Sequence, residues 1–510
     1  MAEIVLINPR FEVSFWGVEH ALPLFGKKAN MPVASLPLLA ALTPEGHRVV
    51  LIDENVEPID FARCARADIV GVTGMSVQRW RMREILAELK RLGAFTVVGG
   101  PWATVQEDYF GELADVVFVG EAEDTWPRFL EEWTAGRHRA RYEQATRTDM
   151  SRVPAPRLDL LDMRHYVCGS VQFSRGCPFT CEFCDIIVIF GRRPRLKTGA
   201  QIIGELDALR ALRMEVVFIV DDNLIGDKRA ARELLGVVAA WQRANGHPLL
   251  FFTEASLDLA EDPDLMRLMV EAGVHVVFVG IESPSEAALR ETGKLQNVRA
   301  RGGTMVERIR AIQRAGMEVW SGMIVGFDSD DRSIFAAQRR FLEEAGIANA
   351  MVGMLAAIPK TPLHERLARE GRLDPVDRPE HGTNVVPLRI SREALRDGYA
   401  RLMADLYAPD AYFNRLDRFL LGTRAVRRRG WRAEALALFQ AVALGARLMR
   451  KVPEPQLRRA YSLRLWRALA TCRSPALVRL YAVRCTMHYH FCTLARNLAA
   501  GQGGRLVNSI

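Results

Sequence analysis

The sequence predicts an α/β protein made of two successive parallel-sheet units followed by a basic helical region. Three observations carry this. Short apolar runs alternate with helical stretches over residues 1–135 and again from residue 169, and the pattern turns wholly helical from about Asp397. Charge divides along the same lines. From Ala411 onward there are 19 Lys and Arg against 3 Asp and Glu, a net of +16, so residues 1–410 carry −8 within the overall +8. The composition, 49% hydrophobic and 25% charged over 510 residues, excludes a mostly disordered chain and leaves room for more than one core.

The first series has strands at Ile4–Ile7, Val49–Asp53, Ile69–Thr73, Thr96–Val98 and Val116–Val119, with helices at Pro37–Leu42 and Arg81–Leu92. Continuous apolar strands separated by helices indicate a doubly covered parallel sheet, which binds ligands at the carboxyl ends of its strands. Those ends carry Asp53-Glu54-Asn55, Thr73-Gly74-Met75-Ser76, Gly99-Gly100-Pro101-Trp102 and Gly120-Glu121. Residues 136–168 are polar, contain Pro154 and Pro156, and read as a linker.

The second series, 169–375, has strands at Ser170–Ser174, Val216–Val220, Leu249–Thr253, Val274–Gly280, Glu318–Val325 and Ala350–Ala356. Helices fall between them, at Ala200–Leu212, Arg229–Ala244, Pro263–Ala272 and Val306–Ala315. Six βα units in a row predict a partial (β/α)6 barrel with its chemistry on the carboxyl-end loops. Residues 376–510 form the basic helical carboxyl-terminal region.

Cys177, Cys181 and Cys184 stand at C-x3-C-x2-C in the loop after the first barrel strand. This spacing lets one loop fold around a [4Fe–4S] cubane and present three thiolates to three irons. The fourth iron is left open to chelate the amino and carboxylate groups of S-adenosylmethionine (SAM). Electron transfer to the sulfonium would then give methionine and a 5′-deoxyadenosyl radical. The cofactor supplies the hard chemistry and the barrel aims it. A structural zinc ion normally takes four ligands; there is no second cysteine pair, and Cys168 lies on the other side of the strand. The five other cysteines are scattered, unlike a disulfide framework. The first residues lack a basic signal-peptide region, and no apolar run approaches the ~20 residues that span a bilayer. A cytoplasmic protein is expected. Its basic region is either a solvated face or a peripheral contact with an anionic membrane surface, where Trp431, Trp466 and Tyr481 could lie.

With these motifs in place, residues 169–375 resemble a radical SAM enzyme. The resemblance implies that Phe183, the aromatic residue before the last cysteine, packs near the adenine. It also implies SAM contacts from Asp221 and Asp222 after the second strand, Glu254 after the third, and Glu282 and Ser283 after the fourth. Gly322 and Gly326, in Gly322-Met323-Ile324-Val325-Gly326, match a glycine motif near adenine. Acidic strand ends also cap helices and glycines also permit close packing, so those readings stand beside it.

The upstream unit resembles a Rossmann-like cobalamin-binding domain. Thr73 and Ser76 stand where hydroxyl residues border the buried nucleotide tail, and Gly99 and Gly100 where the backbone approaches it. The D-x-H-x-x-G signature of the cobalt-ligating histidine is missing: the nearest string is Asp53-Glu54-Asn55-Val56-Glu57-Pro58. His20 and His47 read as surface or capping residues. A domain that serves only for packing is the plain alternative. Further strings are similar to the hopanoid C-2 methylase group, among them Asn8-Pro9-Arg10-Phe11, Ser174-Arg175-Gly176-Cys177, Val220-Asp221-Asp222-Asn223 and Pro359-Lys360-Thr361-Pro362-Leu363.

The resemblance implies a cobalamin-dependent radical SAM methyltransferase acting on an unactivated carbon, with a hopanoid-like or other isoprenoid lipid as substrate and a ferredoxin- or flavodoxin-type reductant. It further implies two SAM molecules per turnover, one methylating cobalamin and one yielding the radical. A second reading keeps radical SAM without methyl transfer: a cyclase, oxidase or rearrangement enzyme. A third is an RNA-modifying or RNA-binding protein. It is disfavoured because the first domain lacks a second cysteine triad and the tail lacks a basic–aromatic string.

Overall fold

The computed structural model describes residues 1–298, 302–421, 431–472 and 474–501. Its first sheet has six parallel strands: β1 (Glu3–Asn8), β2 (Arg48–Asp53), β3 (Ile69–Thr73), β4 (Thr96–Gly99), β5 (Val116–Val119) and β6 (Arg141–Glu143). They lie in the order β2-β1-β3-β4-β5-β6. The strands are rich in β-branched residues because both faces are covered, and β3 is buried at every position. On one face the Arg79–Arg91 helix lays Met82, Ile85, Leu86 and Leu89 against Val5, Ile7, Val70 and Val72. On the other, Leu36, Ala40, Trp126 and Phe129 cover Ile4, Leu6 and Ile69. The chain order reverses at β1 and β3, which places the ligand crevice beyond Asn8 and Thr73.

Part of the expected linker is sheet. β6 pairs with β5 through Val117↔Arg141 and Phe118↔Tyr142. Only Tyr142 points inward; it stacks on Phe118 at 5.3 Å and donates to Glu132 at 2.6 Å. One inward residue in a three-residue edge strand leaves no period to read. Short 3-10 turns fill much of the remainder, at Met150–Arg152, Leu158–Leu160 and Met163–His165.

The second sheet comprises β7 (Gly169–Val171), β10 (Val216–Ile219), β11 (Leu250–Glu254), β12 (Val274–Glu282), β13 (Glu318–Val325) and β14 (Ala350–Met354), all parallel and in sequential order. β7 and β14 are its two edges, so the barrel is open. The expected Ser170–Ser174 strand stops at Val171. Ser174–Arg175 (β8) instead pairs antiparallel with Arg195–Leu196 (β9). The cause is Asp221, at the end of β10, whose carboxylate accepts from the Phe173 and Ser174 amides at 2.7 and 2.9 Å and from the Ser174 hydroxyl at 2.6 Å. These bonds lift the chain out of the sheet just ahead of the cysteine loop.

The amino-terminal end of the barrel is plugged from both ends of the chain. Trp16 packs on Phe278 at 4.9 Å and on Phe218 at 6.3 Å, and Phe218 stacks on Phe252 at 4.4 Å. The Pro475–Ala499 helix drives Arg484 onto Glu318 of β13, with a closest approach of 2.5 Å. Glu318 also accepts from Trp320 and Asn349. Tyr481, expected at an interface with lipid, is buried in the helical core and donates to Asp417 at 2.8 Å. Trp466 is exposed, and the Trp431 side chain lies outside the described residues. Among the described residues, no helix is long and apolar enough to cross a membrane.

Because Glu318 and Arg484 are both buried, removing one strands the other. Arg484→Ala is expected to lower the unfolding free energy by about 3–5 kcal/mol in urea denaturation. A loss below 1 kcal/mol would show that the pair does not hold the helix to the barrel.

Candidate active site

The cysteine loop runs between β8 and β9. Gly176 opens it with φ +99°, and a Cβ there would sit 2.9 Å from the Gly191 and Arg193 carbonyl oxygens. Only glycine fits this approach. The closure lets the Cys177 amide donate to Gly191 O at 3.2 Å, and the Cys184 amide donates to Cys181 O at 3.2 Å. Burial raises the Cys177 and Cys184 thiols above the ordinary value; the other motif cysteines and a neighbouring aspartate, Asp222 for Cys177 and Asp185 for Cys184, raise them further. The three thiols thus sit within electrostatic reach of one another. Among the described residues no group of three or more His, Cys, Asp or Glu side chains is gathered around a single metal position. Three thiolates from one loop are the donor set that a cubane uses. Metal must displace their protons to bind.

The loop is held on three sides. Glu182 accepts from Arg366 Nε at 2.6 Å, and its carbonyl accepts from the Leu363 amide at 3.0 Å. The Glu182 amide donates to Thr292 O at 2.8 Å. The third hold reaches across to the first sheet. Arg175 pairs with Glu121 at 2.8 Å and Glu123 at 2.6 Å, and Arg195 pairs with Glu121 at 2.9 Å. Arg175, Glu121 and Glu123 are buried at their side chains. Ile189, just past the cysteines, joins Trp102, Ala103 and Val105 in the first domain's core.

The expected SAM contacts gather around the loop with distinct environments. Asp221 is committed to Phe173 and Ser174 as described. Asp222 accepts from the Gly176 amide at 2.8 Å; burial, then the charges of Asp221 and Asp185, push its pKa to about 7. Glu254 accepts no hydrogen bond at its carboxylate among the described residues. Burial, then Asp222 and Glu282, push it to about 8. Glu282 adopts φ +66° and pairs with Lys294 at 2.8 Å. Ser283 is buried and accepts from the Ser285 amide at 3.1 Å. Phe183 packs against Phe327 with ring centres 6.2 Å apart. Gly322 lies beside Phe278 of the neighbouring strand β12, and a Cβ there would meet that ring at 3.1 Å. Gly326 has φ +102°, and its amide donates to Asp330 at 2.9 Å. Glu254, a half-buried carboxylate with no hydrogen-bond partner among the described residues, fits a ligand that brings an ammonium group.

At the first sheet's crevice, the Thr73 and Ser76 hydroxyls have no partner among the described residues, and Met75 between them is 52% exposed. These groups fit a ligand with a polar tail. The glycines have a packing reason as well. A Cβ on Gly100 would collide with the Thr73 hydroxyl, and one on Gly99 would press on Phe118 at 3.2 Å. Asn55, at the place a cobalt-ligating histidine would take, is tied down. Its side chain donates to Asp53 at 2.7 Å and accepts from the Phe11 amide at 2.9 Å. Asp53 also holds Asn8 at 3.0 Å and Tyr166 at 2.9 Å.

Comparison with known proteins agrees with this geometry. A B12 binding domain model matches residues 28–130, the radical SAM superfamily model matches 171–338, and a domain of unknown function (DUF4070) matches 361–503. An uncharacterized methyltransferase of Synechocystis is 36% identical over 96% of this chain and 91% of its own. The hopanoid C-2 methylase of Rhodopseudomonas palustris is 35% identical over 81% of this chain and 78% of its own. The chain belongs to the cobalamin-binding radical SAM proteins of the hopanoid C-2 methylase group. The cobalamin-dependent radical SAM enzyme OxsB, solved with aqua-cobalamin and SAM bound, shares the fold over 100% of this chain and 82% of its own, with a TM-score of 0.63 at 15% identity. As a member of its group, the chain is a radical SAM C-methyltransferase whose cofactors are a [4Fe–4S] cluster, SAM and cobalamin. The cluster and SAM supply radical initiation, and cobalamin supplies a methyl carrier. The chain's own residues hold the loop, place carboxylates beside it and keep both sites on one interface.

Two residues at this site carry no sequence signal. Lys294 is largely covered beside Glu282; burial opposes its charge, but Glu282 and the cysteines hold it above the ordinary lysine value. Gln296 donates to Cys181 Sγ at 3.6 Å. Nothing in Gly293-Lys294-Leu295-Gln296 separates them from a helix surface.

Two tests follow from these contacts. Arg175→Ala leaves Glu121 and Glu123 facing each other and is expected to cost about 3–5 kcal/mol of stability. Adding Glu123→Gln should return part of that loss in a double-mutant cycle; strict additivity would refute the clamp. The second test uses pH. Folded Glu254 keeps its proton to about pH 8, whereas an unperturbed glutamate releases it near 4.5. The cofactor-free chain therefore loses this stability as pH rises from about 4.5 to 8. Glu254→Gln should flatten that fall in urea melts at pH 5 and 8; identical slopes in both proteins would contradict it.

Proposed function

We propose that the enzyme methylates an unactivated carbon of a polycyclic isoprenoid lipid of the hopanoid type. The observation that carries this reading is the juxtaposition of the two sites. The cysteine loop is clamped through Arg175 and Arg195 to Glu121, at the carboxyl edge of the sheet whose crevice holds Thr73 and Ser76. A radical initiator and a methyl carrier sharing one interface suit a carbon that has no lone pair to attack with. Polar methyl transfer cannot reach such a carbon. The similarity to the Rhodopseudomonas palustris hopanoid C-2 methylase supports the lipid class. In this reading residues 1–135 carry cobalamin and 169–375 carry the cluster and SAM, with Asp222 and Glu254 facing the SAM ammonium and Thr73 and Ser76 facing the cobalamin tail. Residues 376–510 close the barrel, and a ferredoxin- or flavodoxin-type protein supplies electrons.

Anaerobic reconstitution with iron, sulfide and cobalamin, then incubation with SAM, reductant and a pentacyclic triterpenoid, tests it. Each methylated product should accompany one S-adenosylhomocysteine and one 5′-deoxyadenosine by mass spectrometry, and omitting cobalamin should abolish methylation. Equal methylated yield without cobalamin would refute the mechanism. Radical turnover with no methylation of any triterpenoid would refute the substrate class.

A further inference from the structure

The Trp431–Lys451 and Pro455–Thr471 helices form a hairpin on the Pro475–Ala499 helix. Its inner face is ordinary core. Ala441 and Leu444 pack with Val478 and Ala482, while Leu457, Tyr461 and Ala468 are buried from the second helix. Its outer face is also apolar. Leu436, Phe439 and Val442, three residues apart on the first helix, are 54%, 69% and 59% exposed. Leu463, Trp466 and Leu469, spaced identically on the second, are 61%, 71% and 51% exposed. No charged residue occurs from Ala435 to Ala446. Helices apolar all round are normally buried on all sides, and soluble proteins rarely expose a contiguous patch of this kind.

Within the hairpin's helices Arg464 and Arg467 are paired with Asp410 and Asp417 and Arg447 binds the Leu24 carbonyl, so the unpaired charges among the described residues sit at its turn. Arg450, Arg458 and Arg459 make no ion pair among the described residues, and Lys451 binds the Pro23 carbonyl at 2.9 Å. The acidic residues of the hairpin are Glu434, and Glu454, which is paired with Arg496 at 3.5 Å. We propose that the outer face of this hairpin is a membrane-docking surface that sinks its aromatic and leucine side chains into the acyl region of an anionic bilayer. The unpaired arginines at the turn then meet lipid phosphates. Apolar residues on one side and cations at the edge are what an interfacial helix needs, and no spanning segment is involved. A second copy of the chain would bring the same unneutralised arginines to the contact, where the hairpin's two carboxylates, Glu434 and Glu454, already have partners. A nucleic acid would need cations along the face rather than at one end. The docking surface is independent of the triterpenoid reading, because the test below uses vesicles without substrate.

The full-length, cofactor-loaded protein is co-sedimented with phosphatidylglycerol–phosphatidylcholine vesicles and with pure phosphatidylcholine vesicles. Binding should favour the anionic vesicles and weaken with salt. Phe439→Ser with Trp466→Ser should weaken it at least tenfold at unchanged iron and cobalamin content. Arg450→Glu with Arg459→Glu should abolish the preference for anionic lipid. Lipids brominated along the acyl chain should quench part of the wild-type tryptophan fluorescence, and Trp466→Phe should remove that part without disturbing the fold. The proposal is overturned if the serine variant binds vesicles as the wild type does. It is equally overturned if the wild type ignores vesicles and instead forms a dimer, or binds RNA, that the serine variant loses.

Discussion

The structure turns on the buried clamp between Glu121 and the pair Arg175 and Arg195. Glu121 ends a strand of the first sheet, and the two arginines lie on the small ribbon that brackets the cysteine loop. Burying these charges is costly unless each is matched. Glu121 receives both guanidinium groups and the Thr148 amide at 3.1 Å, and Glu123 takes the remaining reach of Arg175. The matching works only when the two domains sit in one relative position. A catalytic interface between a cluster and a separately bound carrier needs that fixed register, because a misplacement of about 1 Å costs orders of magnitude in rate. The ribbon exists because Asp221 pulls Phe173 and Ser174 out of the barrel sheet, so one buried aspartate prepares the site for the clamp.

The same burial shapes the electrostatics on the barrel side. Asp222, Glu254 and Glu282 crowd together, Asp222 beside the Cys177 thiol, and Lys294 brings positive charge to Glu254 and Glu282. Lys294 is spoken for by Glu282. Glu254 is therefore left to hold its proton until a cation enters. A site poised in this way gains interaction energy from a ligand's ammonium group and gains little from a neutral one. Burial thus selects the ligand as well as shifting the carboxyl group.

Much of this was legible in the sequence, for reasons tied to particular residues. Runs such as Ile69–Thr73 and Glu318–Val325 are long enough and apolar enough to be central strands, and they are. The three cysteines announce their chemistry through their spacing together with their place after the first strand of a six-unit α/β series. Thr73 and Ser76 were singled out by resemblance to a cobalamin-binding domain, and the strand order that reverses at β1 and β3 puts them at the crevice. Other features were silent. Tyr142 is a single inward residue in a three-residue edge strand, so polar neighbours masked it. Glu121 was visible as a polar strand end, yet its arginine partners lie more than fifty residues away and no local pattern links them. Lys294 owes its role to the packing of a loop against Glu282. Tyr481 read as an amphipathic surface residue, and only the approach of Asp417 shows why its hydroxyl can be buried.

The carboxyl-terminal region shows how charge counted along a sequence differs from charge in a fold. Its net of +16 suggested a basic module appended to an acidic body. Several of those cations are consumed inside the molecule. Arg484 neutralises Glu318 at the barrel, Arg464 and Arg467 share Asp417, and Arg415 binds the Ile347 and Leu406 carbonyls. His488, buried between Tyr461 and the Tyr407 carbonyl, is held neutral, its pKa pushed down to about 3 by burial. The helices are therefore part of the barrel's closure, because removing them would strand Glu318 and expose the floor lined by Trp16 and Phe278. Among the described residues, what remains unneutralised is concentrated at the turn of one hairpin, beside the exposed apolar face. The charge that matters to a partner is this remainder, and its position beside Trp466 says more than the total.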